Sequence, residues 1–404
     1  MSAPSAPTPP SFAAPPLRPH LHLAVALDGA ARNPAAWRRE PGARSGDPLT
    51  LGSWTDLVTE AESGLLDFVT IEGGFGPRSP HPTEPDDPTD QGRGRLDAVL
   101  VAARVARHTR HIGLVPTVVA THTEPFQVAK AIATLDHVSN GRAGLRIQVS
   151  ARRDEAARVG RRTYPRLRAV GRDTPAGREL IAELFDEASH HVEMVRRLWD
   201  SGEEEEGEAR DVRSVRGSSV TPRPPQGQPV VSASAHGSVP FGLVGRSADI
   251  GYVTPRDADR ARAVVAEIRT AQTDAGRAEE PLHVFGDLVV FLDADPAAAE
   301  DRRARLGGLA GEARTDGATV FTGTPGHLAD LLLEWRATGL TGFRLRPGTI
   351  AHDLERITRE LVPELQRRGA FRHAYEADTL RGLLGLGRPA ERRATARLAG
   401  AVRR

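Results

Sequence analysis

Short apolar segments alternate with longer amphipathic segments along almost the whole chain, and this alternation constrains the fold more strongly than any other feature of the sequence. The apolar segments have the length of β-strands, whereas the segments between them repeat apolar residues at helical spacing. Eight strands are predicted, at Leu21–Asp28, Asp67–Glu72, Ile112–Val119, Ala143–Ser150, Pro229–Ala235, Asp249–Thr254, His283–Leu292 and Gly342–Arg346. The predicted helices are Trp54–Ser63, Leu96–Thr109, Pro125–Val138, Glu179–Trp199, Val239–Ser247, Asp257–Ala275, Pro325–Thr338 and Asp353–Arg367.

Strands that alternate with helices along the chain form a parallel sheet, and eight parallel strands can close into a barrel. A doubly wound open sheet is the alternative, but no G-x-G-x-x-G motif follows the first predicted strand, which disfavours it. The predicted fold class is therefore α/β, a (β/α)8 TIM barrel with long βα-loop insertions. In such a barrel the functional residues lie at the carboxyl ends of the strands and in the loops that follow them.

A single barrel domain is predicted over residues 21–388, between a disordered tail at residues 1–20 and a basic flexible tail at residues 389–404. The first tail is rich in Pro, Ala and Ser and lacks the basic and apolar regions of a signal peptide. Long loops at a barrel mouth commonly act as lids or binding loops, with plain surface loops as the alternative. The long loops of this chain are predicted at Pro77–Gly94, Ala151–Gly177 and Ser201–Gln228.

The composition excludes several classes of function. The 404 residues include no cysteine, which excludes disulfides, thiolate zinc sites, iron–sulfur clusters and a cysteine nucleophile. The formal net charge is only +1, and no aromatic stacking residues accompany the Arg-rich stretches, so neither nucleic acid nor an acidic membrane is a predicted partner. No apolar run is long enough to span a membrane, and a cytoplasmic protein is predicted. The histidine pairs lack a third ligand nearby in the sequence, so no metal site is predicted.

Polar residues at the ends of the predicted strands are the candidates for function. Glu72 ends the second strand, and the glycines after it would allow a ligand to approach the backbone. Thr117 lies in the third strand and His122 in the turn after it, where a hydroxyl and an imidazole suit contacts with a ligand. The alternatives are structural: an ion pair between Glu72 and an arginine inside the barrel, and a packing or capping role for His122.

Two further groups of polar residues lie at strand ends. Arg146, Gln148 and Ser150 alternate along the fourth strand and therefore face the same side of it. Polar groups inside a barrel are costly unless they are hydrogen-bonded, so this strand indicates either an internal ligand site or an internal polar network. The segment His236–Ser238 follows the fifth strand and begins a helix, and helix N-termini bind phosphate; an ordinary N-cap at Ser238 is the alternative.

Several longer segments resemble one family. The chain is similar to the bacterial luciferase-like monooxygenase superfamily, specifically to its nitrilotriacetate and dibenzothiophene-sulfone monooxygenase branch, over about residues 20 to 390. These proteins are also described as luciferase-like-class flavin-dependent oxidoreductases. The segments that carry the resemblance are AWRREP (36–41), DFVTIE (67–72), the segments at 95–118 and 122–144, TPRPPQGQPVV (221–231), RSADIGYVTP (246–255), FTGTPGHLAD (321–330) and the C-terminal segment at 362–389.

The resemblance implies a TIM barrel that uses reduced FMN, supplied by a separate flavin reductase, and molecular oxygen to oxygenate a small organic substrate. It also implies a homodimer, because relatives commonly pair their barrels. His122 is the predicted catalytic residue. The residues predicted to bind the cofactor are Glu72, Thr117, Gln148, Ser150, His236, Gly237 and Ser238.

Two other functions remain open at the level of the sequence. One is a degenerate flavin-binding or partner subunit without oxygenase activity, and the other is a deazaflavin-dependent oxidoreductase. Asn33 and Gln127 replace histidines that relatives often carry, which favours loss of activity. The retained polar residues at the strand ends favour an active FMN-dependent monooxygenase.

Overall fold

The computed structural model of the protein describes residues 20–27, 50–76, 95–160, 174–201, 220–310 and 319–389, without the side chains of 307–310. Several sequence predictions fall on the remaining residues, outside the described part of the chain. They concern most of both terminal tails, the AWRREP segment, Asn33, the Pro77–Gly94 loop and much of the loops at Ala151–Gly177 and Ser201–Gln228.

All strands of the described sheet run parallel, and eight of them close into a barrel. The strands are β1 (His22–Leu27), β2 (Phe68–Ile71), β3 (Gly113–Val119), β4 (Gly144–Gln148), β5 (Val230–Ser234), β6 (Ile250–Val253), β7 (His283–Leu292), β8 (Thr319–Gly323) and β9 (Gly342–Pro347). Strands β1 to β7 pair in sequence order, β7 pairs with β9, and β9 pairs with β1 to close the cylinder. The predicted TIM barrel is therefore confirmed, and all eight predicted strands lie in it.

Strand β8 is an addition to the barrel that the sequence did not reveal. β7 is long enough to pair with β6 through His283–Gly286 and with β8 through Leu288–Leu292. Residues 288–290 of β7 also pair with β9, so β8 and β9 lie on opposite edges of β7. Four of the five residues of β8 are only half-buried, so this strand lacks the continuous apolar run by which a core strand is recognised.

Helices surround the barrel, and most of them lie close to the residue ranges predicted from the sequence. They are α1 (Leu51–Ser63), α2 (Ala98–Val105), α3 (Pro125–Val138), α4 (Arg153–Val159), α5 (Pro175–Asp200), α6 (Ser238–Ser247), α7 (Ala258–Asp274), α8 (Pro296–Ala310), α9 (Pro325–Arg336), α10 (Ile350–Arg356), a π-turn (Ile357–Leu361), α11 (Val362–Arg367) and α12 (Leu380–Leu383). Side-chain caps fix several of the helix starts, such as Asp97 on α2 and Thr324 on α9. The sequence did not predict α4, α8 or α12. Among the described helices, none is both long and apolar enough to cross a membrane.

The amino-terminal end of the barrel is closed by the C-terminal segment. Leu380, Leu384 and Leu386 are buried in one cluster with the inward-facing apolar residues of the strands. A Cβ on Gly113 would lie 2.6 Å from a methyl carbon of Leu380, and a Cβ on Gly144 would lie 3.2 Å from the other methyl carbon. Leu380 therefore fills the space that these glycines leave open.

Shortening Leu380 to alanine should destabilise the protein by about 2–5 kcal/mol, because the cavity left behind is lined by rigid strands that cannot collapse into it. The matched control is Leu100→Ala on α2, where the leucine is 70% exposed and the expected change stays within about 0.5 kcal/mol. Urea unfolding of both variants measures the difference. Equal stabilities for the two variants would show that the C-terminal segment does not seal the barrel.

Candidate functional site

A layer of charged side chains lies inside the barrel towards the carboxyl ends of the strands, and Arg146 of β4 is its centre. One terminal nitrogen of Arg146 donates to Glu72 at 2.7 Å and to the Thr117 hydroxyl at 3.0 Å. The other terminal nitrogen donates to the Ser234 hydroxyl of β5 at 3.1 Å. The structure thus brings together two of the predicted site residues, Glu72 and Thr117, through an arginine from a third strand.

A second ion pair extends this layer across the barrel. Arg344 of β9 donates to both oxygens of Asp287 on β7, at 3.0 and 2.8 Å, and both side chains are almost fully buried. Its guanidinium carbon lies 4.2 Å from the ring centre of Tyr252, a cation–π contact that fixes the plane of the group. Arg344 also lies 3.6 Å from Glu72, so the two ion pairs form one continuous network.

The network keeps its two carboxylates ionised. Burial opposes ionisation of Glu72, but Arg146, Arg344 and other nearby arginines outweigh burial and lower the pKa of Glu72 to about 2. The same balance, with Arg344 as the strongest attraction, lowers the pKa of Asp287. Burial raises the pKa of the Tyr252 phenol to about 12, so it stays protonated. Within the described residues, no cluster of three or more His, Asp or Glu side chains is placed to hold a metal ion.

The glycines after Glu72 serve packing, which corrects the sequence-based interpretation that they admit a ligand. A Cβ on Gly73 would lie 2.5 Å from the carbonyl oxygen of Thr117. A Cβ on Gly74 would lie 2.3 Å from the guanidinium of Arg95, which itself donates to the Gly73 carbonyl at 2.7 Å. The space beside these two glycines is therefore already filled by the protein.

The structure separates Ser150 from the Arg146 network. Strand β4 ends at Gln148, which is half-buried, so the alternation of the strand does not extend to Ser150. The Ser150 hydroxyl donates to the carboxylate of Glu155 at 2.6 Å, and that carboxylate also accepts from the Gly76 amide at 3.2 Å. Ser150 thereby fastens α4 to the loop after β2. Its predicted role in cofactor binding remains a prediction, and the observed contacts are those of a loop tether.

His122 lies in the short turn between β3 and α3, at the carboxyl end of the barrel. Its side chain is only 5% exposed, and the imidazole meets the ring of Phe75 edge-on at 6.1 Å between ring centres. Phe75 belongs to the loop after β2, so His122 contacts the same loop that begins with Glu72. The observed contact is one of packing, and the catalytic role of His122 remains a prediction.

The segment His236–Ser238 forms an uncapped helix start. Gly237, with φ of +123°, precedes α6, has no atoms within 4 Å of the position of a Cβ, and provides no side-chain cap. Ser238 is the first residue of α6 rather than its N-cap, so the alternative interpretation of Ser238 is wrong. Nδ1 of His236 lies 3.2 Å from the Thr254 hydroxyl. Burial, reinforced by Arg344 and Arg146 against the attraction of Asp287, lowers the pKa of His236, so its imidazole is neutral at neutral pH.

Sequence reasoning missed half of the charged layer. It predicted the strands that contain Asp287, Arg344 and Arg346 but did not single out these residues. The signal was present: Arg344 and Arg346 alternate within a core strand, and Asp287 interrupts the longest apolar run. The parity argument that selected Arg146 would have selected Arg344 and Arg346, and the rarity of a charge inside an apolar strand would have selected Asp287.

The sequence pattern that defines the luciferase-like monooxygenase family matches residues 36–391. The chain belongs to this family. Nitrilotriacetate monooxygenase component A of Aminobacter aminovorans is 25% identical, over 87% of this chain and 93% of that protein. N-acetyl-S-(2-succino)cysteine monooxygenase of Bacillus subtilis (strain 168) is 26% identical, over 92% of this chain and 98% of that protein. EDTA monooxygenase of Chelativorans sp. BNC1 shares the fold with a TM-score of 0.75 at 20% identity, over 91% of this chain and 99% of that chain.

These similarities confirm the family resemblance and the prediction of a monooxygenase. They extend over most of the length of each relative of this luciferase-like monooxygenase, 93% of the first and 98% of the second. The identities are low enough that the residues lining the mouth can differ between relatives. The charged layer around Arg146 is therefore interpreted from its own contacts.

Replacing Glu72 by glutamine should cost this luciferase-like monooxygenase about 3–5 kcal/mol, because it leaves Arg146 buried without its counter-charge. The double variant Glu72→Gln with Arg146→Met should recover much of that loss, since neither charge is then buried alone. The control is Glu267→Gln, which breaks an exposed pair with Arg260 and should cost about 0–1 kcal/mol. Chemical unfolding of the four proteins gives the comparison.

The difference in the free energy of unfolding between wild type and Glu72→Gln should depend on pH. The pKa of Glu72 is lowered from 4.5 to about 2 in the folded protein, so its stabilisation is fully present above about pH 4.5 and is lost as the pH falls towards 2. The stability gap between wild type and Glu72→Gln should therefore narrow over this range. A gap that stays constant from pH 7 to pH 3 would show that the ionised carboxylate is not what stabilises the network.

Proposed function

We propose that the protein is the oxygenase component of a two-component FMN-dependent monooxygenase, which receives reduced FMN from a separate flavin reductase and oxygenates a small organic substrate. Membership of the luciferase-like monooxygenase family supports the reaction class. The observation that carries the cofactor assignment is the uncapped start of α6 at Gly237, beside a barrel mouth rich in arginine. The relative from Aminobacter aminovorans is itself described as a component, which supports a separate reductase. A homodimer is the proposed assembly.

The residues at the mouth fit an anionic flavin. Free N–H groups in the first turn of α6 suit a phosphate, because a helix N-terminus carries a partial positive charge and unpaired donors. The open space around Gly237 allows a ligand to come close to the backbone there. Both terminal nitrogens of Arg146 donate hydrogen bonds within the network, whereas its Nε is buried without a partner. We assign the phosphate to Gly237, Ser238 and the neutral His236, and the ring to the mouth near Thr117 and Gln148.

When bound, reduced FMN supplies the two electrons with which oxygen is activated. The residues of the chain position this group and keep water away from it. Glu72, held as an anion by Arg146, contributes by fixing the guanidinium rather than by exchanging protons, since its pKa lies far below neutrality. His122 is assigned to hydrogen bonding at the reacting face, because it lies at the carboxyl end of β3 next to the loop that carries Glu72.

The experiment that tests this function combines the purified protein with FMN, a flavin reductase and NADH. Binding of reduced FMN under anaerobic conditions, followed by oxygen consumption that depends on a substrate, would support the proposal. Flavin binding without turnover for any substrate would instead support a flavin-binding or partner subunit. Activity only with reduced deazaflavin would support the third function left open by the sequence.

Replacing Gly237 by alanine should weaken FMN binding at least tenfold and leave riboflavin binding nearly unchanged. The side chain would strain the backbone, because φ is +123°, and would narrow the approach to the start of α6. Gly369→Ala is the control, since Gly369 also has positive φ (+67°) but follows α11, at the opposite end of the barrel. Isothermal titration with both flavins measures the ratio. An equal loss for FMN and riboflavin would remove the phosphate from this segment.

Replacing His122 by alanine should lower turnover about 10²-fold or more while flavin affinity changes by less than threefold, if the imidazole acts at the reacting face. Steady-state rates and anaerobic FMN titration separate the two effects. Thermal unfolding of the variant is the control, because His122 also packs against Phe75. A variant with wild-type turnover and lowered stability would assign His122 to packing alone.

A further inference from the structure

The charged layer at the barrel mouth contains more positive than negative groups. Four guanidinium groups, those of Arg95, Arg146, Arg344 and Arg346, act on the single carboxylate of Glu72. Asp287 is the other carboxylate of this layer. Among the described residues of this layer, four guanidinium groups therefore face two carboxylates.

The hydrogen bonds and ion pairs show which of these arginines already have a close acceptor. Arg146 forms a 2.7 Å ion pair with Glu72, and Arg344 holds both oxygens of Asp287. Arg95 is engaged by a backbone carbonyl, at 2.7 Å from the oxygen of Gly73. Arg346 has only a 3.5 Å contact with Asp287, whose oxygens are already taken by Arg344.

Arg346 is also the member of the layer that a ligand can reach. It follows Arg344 by two residues on β9, so both side chains face the interior of the barrel. The Arg344 side chain is 1% exposed, whereas that of Arg346 is 24% exposed. Arg346 lies nearer the carboxyl end of the strand, where a TIM barrel binds its substrates.

We propose that Arg346 binds a carboxylate of the substrate, and that the substrate class of this enzyme is therefore a carboxylate-bearing organic molecule. A planar guanidinium presents paired N–H donors that match a carboxylate, and such charge-assisted pairs gain strength where water is excluded. A neutral substrate would leave Arg346 with only its 3.5 Å contact with Asp287, a carboxylate whose two oxygens already accept from Arg344. This inference rests on the proposed monooxygenase function for the reaction, but the binding itself does not depend on turnover.

The same oxyanion chemistry has a second source, the phosphate of FMN, and the experiment must distinguish the two. The probes are succinate and its neutral analogue succinamide, titrated calorimetrically at constant ionic strength into the full-length protein with and without FMN. The variants are Arg346→Gln, the conservative Arg346→Lys, and Arg260→Gln as a control for an exposed arginine on α7. FMN and riboflavin are titrated into the same four proteins.

The proposal expects wild type and Arg260→Gln to bind succinate and not succinamide. Arg346→Gln should weaken succinate binding at least tenfold, Arg346→Lys should retain part of the affinity, and the ratio of FMN to riboflavin affinity should not change. Equal binding of succinate and succinamide, or no effect of Arg346→Gln, would overturn the proposal. A loss in Arg346→Gln of FMN affinity alone, with riboflavin unaffected, would assign Arg346 to the flavin phosphate and would also overturn it.

Failure of the proposed function is distinguishable from failure of this inference. If the wild-type protein binds neither FMN nor riboflavin but still binds succinate through Arg346, the flavin assignment is wrong and the carboxylate site stands. If it binds FMN and turns over a substrate, but Arg346→Gln leaves succinate binding and KM unchanged, the function stands and the carboxylate site is wrong. Circular dichroism and thermal unfolding confirm that the Arg346 variants are folded.

Discussion

The ion pair between Arg146 and Glu72 is the interaction on which the rest of the mouth depends. Two unit charges buried in a protein interior are tolerated only when each satisfies the other, so the position of either side chain fixes that of its partner. Because Arg146 also donates to Thr117 and Ser234, one guanidinium of β4 fixes three side chains, at the end of β2, in β3 and in β5. Arg344 links this group to Asp287 on the far side.

The barrel therefore has two chemically different ends. At the amino-terminal end, Leu380 and its neighbours in the C-terminal segment close an apolar interior against glycines of the strands. Towards the carboxyl end, inward-facing positions are occupied by charged residues, and Tyr252 of the apolar cluster contacts Arg344 of this layer. The first end buries apolar surface together with the His22–Asp67–Arg372 network, and the second end supplies fixed charges with which a ligand can be oriented.

Membership of the luciferase-like monooxygenase family explains the fold and the reaction class, but it does not explain the arginine-rich mouth. The fixed dipole at the start of α6 and the guanidinium of Arg346 offer two separate places for negative charge. One of them suits the phosphate of a flavin, and the other suits a substrate anion. An enzyme that brings a cofactor and a substrate together gains from two such sites, because each ligand is then oriented by its own charge.

Local sequence patterns determined the fold, the family and much of the position of the site. Alternating apolar segments predicted all eight barrel strands, and proline and asparagine–glycine signals gave helix α3 its observed bounds, because these features depend on neighbours close in the chain. The same reasoning failed for β8, a half-buried edge strand, and for the partners of polar side chains. Alternation predicts which face of a strand Arg146 occupies, but Glu72 lies 74 residues away in sequence. Only the tertiary structure decided that Arg146 pairs with Glu72 and that Arg344 and Arg346 share the carboxylate of Asp287, because these partners come together only when the strands assemble.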